Sequence, residues 1–415
     1  MDRQKLFVTS CVSLVTTSMV FAIRGDVAPA MSQAFRLTNE QMGLIFSPAF
    51  WAFTIAIFAS GALVDLVGMR SLHVLSAVGY LVGIGLILAA PFPDAAVASI
   101  FDTTGTTLLY AGFFIMGLSQ GLVEGVINPL VTTIYSDEKA RKLNMLHAWW
   151  PGALVIGGLL AVVLTQTINA SWQVKLGTIL IPAVVYLVMA LSQEYPKTDR
   201  VVSNVSTVEM WSEAAKPLFL LLFVCMWMTA AAELGPDQWF PTVMGALVPQ
   251  LQGVLFLVYT AGLMFVIRFY GSGIAHDAPI RTLIVCSMLT GIGLYWLGGL
   301  QPGASAVMAF AAATIFGIGK SYFWPTMLGV TAEQFPRGGA LLISLMGGAG
   351  MLSVAVALPI MGARIDRFGP GAALQLVAIF GAILAVIFGG LAVYFGRQGG
   401  YRPVSLAGPR TATRG

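Results

Sequence analysis

The amino-acid sequence predicts an all-α integral membrane protein with twelve transmembrane helices arranged as two six-helix pseudo-repeats. Two observations lead to this prediction. Of the 415 residues, 57% are hydrophobic and only 10% are charged, whereas soluble proteins carry about 25% charged residues. The apolar residues also form long runs, and a run of about 20 residues crosses the hydrocarbon core of a bilayer as a helix.

The apolar runs are numbered as spans 1 to 12 in chain order. Their predicted bounds are 6–30, 42–64, 71–91, 106–135, 143–167, 173–193, 216–242, 250–274, 279–299, 304–332, 339–363 and 371–396. The most polar interior stretch, residues 192–216, separates spans 1–6 from spans 7–12. We therefore predict an N-terminal six-helix bundle (1–193), a cytoplasmic linker (194–215), a C-terminal six-helix bundle (216–396) and a cytoplasmic tail (397–415).

The basic residues predict that both termini face the cytoplasm. With that orientation, fifteen of the 22 lysines and arginines lie on the cytoplasmic side and three lie within apolar runs. The four on the outer side are Arg36, Lys175, Arg364 and Arg367. This asymmetry follows the positive-inside rule and predicts a multi-pass protein of the cell (inner) membrane. The net charge of +4 therefore reflects topology, and we expect no nucleic-acid partner.

The sequence carries no pattern that indicates an enzyme. Its three cysteines, Cys11, Cys225 and Cys286, fall in apolar segments without metal-ligand spacing, so we expect neither disulfides nor a metal site. No nucleophile–base pair, zinc-protease motif or phosphate-binding loop stands in the apolar runs. We therefore expect no enzyme activity and no cofactor, with an ion gradient as the energy source. A proton gradient is the first choice, and sodium stays open because carboxylates and helix-break carbonyls also hold Na⁺.

The two halves contain related motifs at corresponding places. The link between spans 2 and 3 reads GALVDLVGMRS, and the link between spans 8 and 9 reads GIAHDAPIR. Two six-helix halves in parallel repeat resemble the major facilitator superfamily. The resemblance implies that Asp65 and Arg70, with their counterparts Asp277 and Arg281, belong to the cytoplasmic gate. A similar run, GARIDRFG at 362–369, falls on the outer side, where we expect a helix-end turn.

The resemblance also implies that spans 1, 4, 7 and 10 line a central cavity. The candidate proton-coupling acids on these spans are Asp26, Glu124 and Glu233. The buried bases Arg24, Arg268 and Lys320 can compensate them, which makes buried charge tolerable. Three alternatives remain open: Asp26 and Arg24 form an interfacial pair, Arg268 extends to the membrane surface or seals the gate, and Asp237 lies near the outer surface.

The segment around Glu124 resembles one group within this superfamily more specifically. EGVINP at 124–129 matches the E-x-x-x-N-P motif of fucose:proton symporters and related sugar porters, in which that glutamate couples protons and contacts the sugar. Gln120 and Asn128 lie one turn away on the same helical face. LNMLHAWWPGA at 143–153 is similar to the entry of span 5 in that family, with His147 at its polar position.

Tryptophans beside polar residues predict a sugar site. Trp149, Trp150, Trp239 and Trp324 stand on the predicted cavity helices, and Gln238 adjoins Trp239. A tryptophan ring offers an apolar face to sugar C–H groups, while amides and carboxylates bind the hydroxyls. For Trp239 the alternative is a ring at the membrane interface.

These features predict a monomeric secondary transporter that moves a small polar solute, preferably a sugar, by alternating access with proton coupling. Lys320 either pairs with a cavity carboxylate or receives an anionic substrate. A neutral substrate is favoured because the cavity acids are at least as numerous as the bases. The alternatives are an exporter or proton antiporter of drugs or lipophilic metabolites, and an organic-anion porter.

Overall fold

The structure, a computed structural model, describes residues 2–135, 142, 145–196, 207–270, 278–335 and 337–404. All regular structure within these ranges is helical. In the described residues, eleven helices are long and apolar enough to cross a membrane, and Val254–Tyr270 is a shorter apolar helix at the position of span 8. The predicted all-α membrane fold is confirmed.

The helices follow the predicted spans closely. In the first half they are Arg3–Phe35 (span 1), Asn39–Phe46 and Pro48–Val67 (span 2), Met69–Leu88 (span 3), Thr104–Ile134 (span 4), Trp149–Ile168 (span 5), and Trp172–Gly177 with Leu180–Leu191 (span 6). After a linking helix, Thr207–Ala214, the second half contains Pro217–Leu247 (span 7), Val254–Tyr270 (span 8), Pro279–Gly298 (span 9), Ala306–Lys320 with Phe323–Gln334 (span 10), Gly339–Phe368 (span 11) and Gly371–Arg397 (span 12). Spans 1 and 11 end at Phe35 and Phe368, beyond the predicted 30 and 363.

Span 10 is interrupted immediately after Lys320. Its first helix ends at Lys320 and its second begins at Phe323, two residues before Pro325. A proline has no N–H to donate, and its ring clashes with the carbonyl four residues earlier, here that of Ser321. The interruption leaves the Ser321 carbonyl open to a side-chain donor, and Arg268 Nε donates to it at 2.6 Å.

Consecutive spans run in opposite directions, so the bundle has two distinct ends. We call the end that carries the start of span 1 and the end of span 12 the terminal end. The opposite end, with the links 36–38, 169–171 and 369–370, is the distal end. The halves meet through spans 1 and 7, spans 2 and 11, and spans 5 and 8.

At the distal end the backbones of spans 2 and 11 touch directly. A Cβ atom on Gly43 would lie 2.6 Å from the Leu358 carbonyl oxygen, and one on Gly362 would lie 2.2 Å from the Asn39 carbonyl oxygen. Both separations are below any ordinary contact, so this approach requires glycine at both positions. The two halves are therefore closed against each other at the distal end.

A carboxylate completes this closure. Asp366 of span 11 accepts hydrogen bonds from Asn39 N at 3.1 Å, Asn39 Nδ2 at 2.8 Å and Glu40 N at 2.8 Å. These backbone N–H groups open the first helix of span 2 and have no partner within it. Thr38 caps the next one, Gln41 N. We call Asp366, Asn39 and Glu40 the distal clamp. The 362–369 run ends a helix, as expected, but Asp366 also joins the two halves.

We predict that Asp366→Asn weakens distal closure. An amide keeps the size of the side chain but loses its charge, and a charged cap at a helix N-terminus is worth about 1–2 kcal/mol. The distal-open population should rise by about 5- to 30-fold. The measurement is the rate at which an impermeant thiol reagent modifies Met361→Cys, a buried position on span 11. Arg367→Gln, one residue away, should leave this rate unchanged; an equal rise in both variants would contradict the clamp.

Candidate functional site

The deepest ion pair joins spans 10 and 7. Lys320 Nζ lies 2.6 Å from Asp237 Oδ1 and 2.7 Å from Oδ2. The two side chains are 0% and 4% exposed. The expectation that Asp237 lies near the outer surface is wrong, because the helix of span 7 continues to Leu247 and keeps Asp237 inside the bundle. Lys320 therefore has its carboxylate within its own half.

A second pair lies beside the interruption of span 10. Arg268 Nη2 of span 8 is 3.5 Å from Glu233 Oε1 of span 7, one helical turn before Asp237. Glu233 is buried, and its Oε2 atom accepts no hydrogen bond within the described part of the chain. Arg268 is thus held by a carboxylate and by the Ser321 carbonyl, so it does not extend to the membrane surface.

A third pair lies in the first half. Lys175 Nζ of span 6 donates to Asp26 Oδ2 of span 1 at 2.7 Å, and both side chains are nearly buried. Asp26 therefore pairs with Lys175 and not with Arg24, although the two are only two residues apart. The side chains of Arg24 and Asp26 point to different neighbours because residues two apart lie on different sides of a helix.

Arg24 lies where span 1 meets span 7. Its side chain is 0% exposed, and its Nε donates to Gln238 Oε1 at 2.7 Å. Gln238 Nε2 in turn donates to the Phe21 carbonyl at 3.2 Å, which fixes the amide orientation. The guanidinium carbon lies 4.5 Å and 4.8 Å from the ring centroids of Phe50 and Phe21. Nη1 and Nη2 have no hydrogen-bond partner in the described ranges.

Glu124 lies nearer the terminal end and is half-buried. Asn128 Nδ2 donates to Glu124 Oε2 at 3.1 Å and to the Glu124 carbonyl at 3.0 Å. A 2.9 Å hydrogen bond connects His147 Nε2 with Asn128 Oδ1. Gln120, one turn toward the distal end, is fully buried, and neither of its amide atoms has a hydrogen-bond partner among the described residues. The structure thus brings Glu124, Asn128 and His147 into one chain of hydrogen bonds.

The tryptophans lie in different surroundings. Trp150 is half-buried and packs edge-on against Phe21, with ring centroids 5.0 Å apart. Trp324 is also half-buried, and its ring lies 2.7 Å from where a Cβ on Gly350 would stand. Trp149 is exposed. Trp239 is buried with no hydrogen-bond partner for Nε1 in the described ranges, so it lies in the core and not at the membrane interface.

Of the four residues assigned to the cytoplasmic gate, the structure describes the side chains of Arg70 and Arg281. Asp277 lies outside the described residues, as does the side chain of Asp65. Arg70 is exposed, and its Nη2 donates to the Leu191 carbonyl at the end of span 6. Arg281 is exposed at the start of span 9. The gate assignment stays a prediction.

Three charged residues whose partners lie on another span were not predicted as site residues: Asp237, Lys175 and Asp366. A signal for Asp237 did exist, because Asp237 follows Glu233 by four residues and so shares its helical face, while the buried Lys320 on span 10 required an acid. Lys175 and Asp366 looked like surface residues at helix ends. No local pattern shows that their partners come from spans far away in sequence.

Comparison with known proteins identifies the family. Residues 6–311 match the model of the Major Facilitator Superfamily. This chain belongs to that superfamily. It is accordingly a multi-pass membrane transporter and not an enzyme, and the predicted family is confirmed.

Individual relatives are distant. Protein TsgA of Shigella dysenteriae serotype 1 is 23% identical over 395 residues, which cover 93% of this chain and 94% of the relative. The inward-open xylose transporter XylE from E. coli is 13% identical with a TM-score of 0.76, covering 93% of this chain and 96% of that one. The nucleoside transporter NupG is 13% identical with a TM-score of 0.71, covering 94% and 99%. These structural similarities establish the fold alone.

We predict that removing one partner of the Lys320–Asp237 pair destabilises the folded protein. Asp237→Asn leaves a buried ammonium without its counter-charge, and such a change costs about 3–5 kcal/mol. The melting temperature in detergent should fall clearly below that of the wild type.

The double variant Asp237→Asn with Lys320→Gln removes both charges and should recover most of the lost stability. The surface pair of Lys5 with Asp2 is the control, since both side chains are exposed and such a pair contributes little. Equal melting temperatures for the Asp237 single variant and the wild type would contradict this assignment.

Proposed function

We propose that this transporter moves a small, hydroxylated polar solute by alternating access, coupled to a proton carried by Glu124. The solute binds between the two halves, against Trp150 and Trp324. The protein acts as a monomer in the inner membrane with both termini in the cytoplasm. The proposal rests mainly on the position of Glu124 relative to the other buried charges.

Glu124 differs from the other membrane-embedded acids. Asp26, Glu233 and Asp237 each have a cationic partner, whereas no described cation forms a salt bridge with Glu124. Acids inside membrane-spanning helices commonly mark proton pathways. The neighbouring amide of Asn128 can hydrogen-bond a carboxylate by donating and a carboxylic acid by accepting. Glu124 is therefore suited to bind and release a proton during transport.

The half-buried tryptophans support a hydroxylated solute. Trp150 of span 5 and Trp324 of span 10 belong to opposite halves, and both keep part of the ring accessible. Apolar ring faces suit the C–H faces of such a solute, and amide side chains suit its hydroxyl groups. The amide of Gln120, which has no hydrogen-bond partner among the described residues, has both a donor and an acceptor for such hydroxyls.

The closed distal end supports alternating access. The distal clamp and the contact between Arg24 and Gln238 both cross between the halves, while Glu124, Asn128 and Trp324 remain partly accessible. A transporter in this state presents its site toward the terminal end. Separation of spans 2 and 11 would break the clamp and present the site to the opposite side.

We predict that Glu124→Gln abolishes proton-driven accumulation but preserves exchange. The amide keeps the hydrogen bonds to Asn128 and cannot carry a proton. The test is uptake by proteoliposomes across a panel of sugars and sugar acids, with and without a pH gradient, alongside counterflow exchange of the same solutes. Glu194→Gln, at an exposed glutamate, is the matched control and should accumulate solute normally. If accumulation survives in Glu124→Gln, proton coupling lies elsewhere, with Glu233 the next candidate.

The proposed orientation gives a separate prediction. Asp94→Cys lies in the exposed link between spans 3 and 4 at the distal end, and Glu194→Cys lies beyond span 6 at the terminal end. An impermeant thiol reagent should label Asp94→Cys in intact cells and Glu194→Cys only after permeabilisation. The expectation follows from the excess of basic residues at the terminal end, and the reverse labelling pattern would disprove it.

A further inference from the structure

Arg24 is a buried cation without a counter-charge. Lys320, Arg268 and Lys175 each form a salt bridge, but none is formed by Arg24 among the described residues. Its nearest acid in sequence, Asp26, already binds Lys175. An arginine remains charged even when buried, and a buried charged donor without a partner is costly. This arrangement is therefore incomplete as a purely structural one.

The surroundings of Arg24 hold the guanidinium in one orientation. Phe21, Phe46 and Phe50 surround it, with ring centroids 4.8, 5.7 and 4.5 Å from the guanidinium carbon. Aromatic faces attract a cation, but they cannot accept in-plane hydrogen bonds as oxygen atoms do. Gln238 occupies Nε. The edge formed by Nη1 and Nη2 is left with N–H donors and no acceptor.

That open edge selects a particular ligand chemistry. A guanidinium edge forms two parallel hydrogen bonds with the two oxygens of a carboxylate. The unpaired charge is a single positive one, which a monocarboxylate neutralises. A phosphate monoester carries about −1.5 to −2 at neutral pH and would leave excess negative charge in a low-dielectric site. The chemistry therefore favours a carboxylate over a phosphate.

The pairing of the other charges removes the objection to an anionic solute. The preference for a neutral substrate depended on repulsion from Asp26, Glu124 and Glu233. Asp26 and Glu233 are compensated by Lys175 and Arg268, and Glu124 is the proposed proton carrier. With Glu124 protonated, the unpaired charge that remains among the described membrane-embedded residues is that of Arg24.

We propose that Arg24, oriented by Gln238 and the three phenylalanines, binds the carboxylate of the transported solute. The solute is then a small hydroxylated monocarboxylate. This inference rests on the proposed transport function and names its substrate class. Because Arg24 and Gln238 belong to opposite halves, opening the distal end separates spans 1 and 7 and uncovers the guanidinium edge for the incoming carboxylate.

The test compares acids with their neutral counterparts. Thermal shifts of the purified full-length protein are measured with gluconate and glucuronate, and with glucose and xylose. Counterflow of the same four solutes is measured in proteoliposomes. The wild type should be stabilised by the carboxylates and should exchange them. Arg24→Gln should bind them about 10- to 100-fold more weakly, and Arg24→Lys should fall between the two because an ammonium forms no bidentate pair.

The stability of the ligand-free variants distinguishes solute binding by Arg24 from a purely structural role. Removing an unpaired buried charge should leave the melting temperature of ligand-free Arg24→Gln equal to or above that of the wild type. A large fall in that temperature, together with unchanged carboxylate binding by Arg24→Lys, would overturn the proposal. Arg364→Gln, at an exposed distal arginine, is the control and should bind like the wild type.

The inference and the transport function fail in different ways. Exchange of glucose or xylose that is equally strong in wild type and Arg24→Gln, or the absence of any stabilisation of the wild type by either carboxylate, would overturn the carboxylate site and leave the family function intact. Carboxylate binding and exchange that depend on Arg24, without accumulation of the carboxylate under a pH gradient, would support the site and contradict proton coupling.

Discussion

The cost of burying charge in a membrane determines how this transporter is assembled. An isolated charge at the centre of a bilayer is costly enough that it is paired or functional. Three of the buried cations are paired within their own half: Lys320 with Asp237, Arg268 with Glu233, and Lys175 with Asp26. Breaking such a pair without a replacement is expensive. These pairs therefore tie helices together inside each half, and neither half can deform easily during transport.

The contacts between the halves are of a different kind. At the distal end they consist of glycine-mediated backbone contact at Gly43 and Gly362, and of hydrogen bonds from Asn39 and Glu40 to Asp366. Asp366 is exposed, so water can replace its hydrogen bonds when the halves separate. The salt bridges among the described membrane-embedded residues lie inside the halves and none joins one half to the other, which favours rigid-body motion. This division of contacts is the physical basis of the alternating access proposed above.

The sequence predicted the helices and their order because hydrophobic length is a local property of the chain. It also located the buried charges along each span, since depth follows from residue count and helix rise. It could not supply the rotation of each helix about its axis, which decides which side chains face each other. For this reason the partners of Asp26 and Asp366 were not foreseen. Asp237 was expected near the outer surface because span 7 was predicted to end at 242, whereas its helix extends to Leu247. The motif around Glu124 was more informative because its polar residues lie on one helix at fixed spacing.

Arg24 and Glu124, which form no salt bridge among the described residues, are too far apart to explain coupling by direct attraction. Helix rise places Glu124 roughly 15 Å nearer the terminal end than Arg24. At an effective dielectric constant of about 20, unit charges at these two positions interact by only about 1 kcal/mol. Reversing a two-state equilibrium from 1:99 to 99:1 takes about 5.5 kcal/mol. Coupling in the proposed mechanism must therefore pass through the conformational equilibrium. Under this proposal, the solute changes the contact between Arg24 and Gln238 at the boundary between the halves, and the distal clamp sets the stability of the closed state.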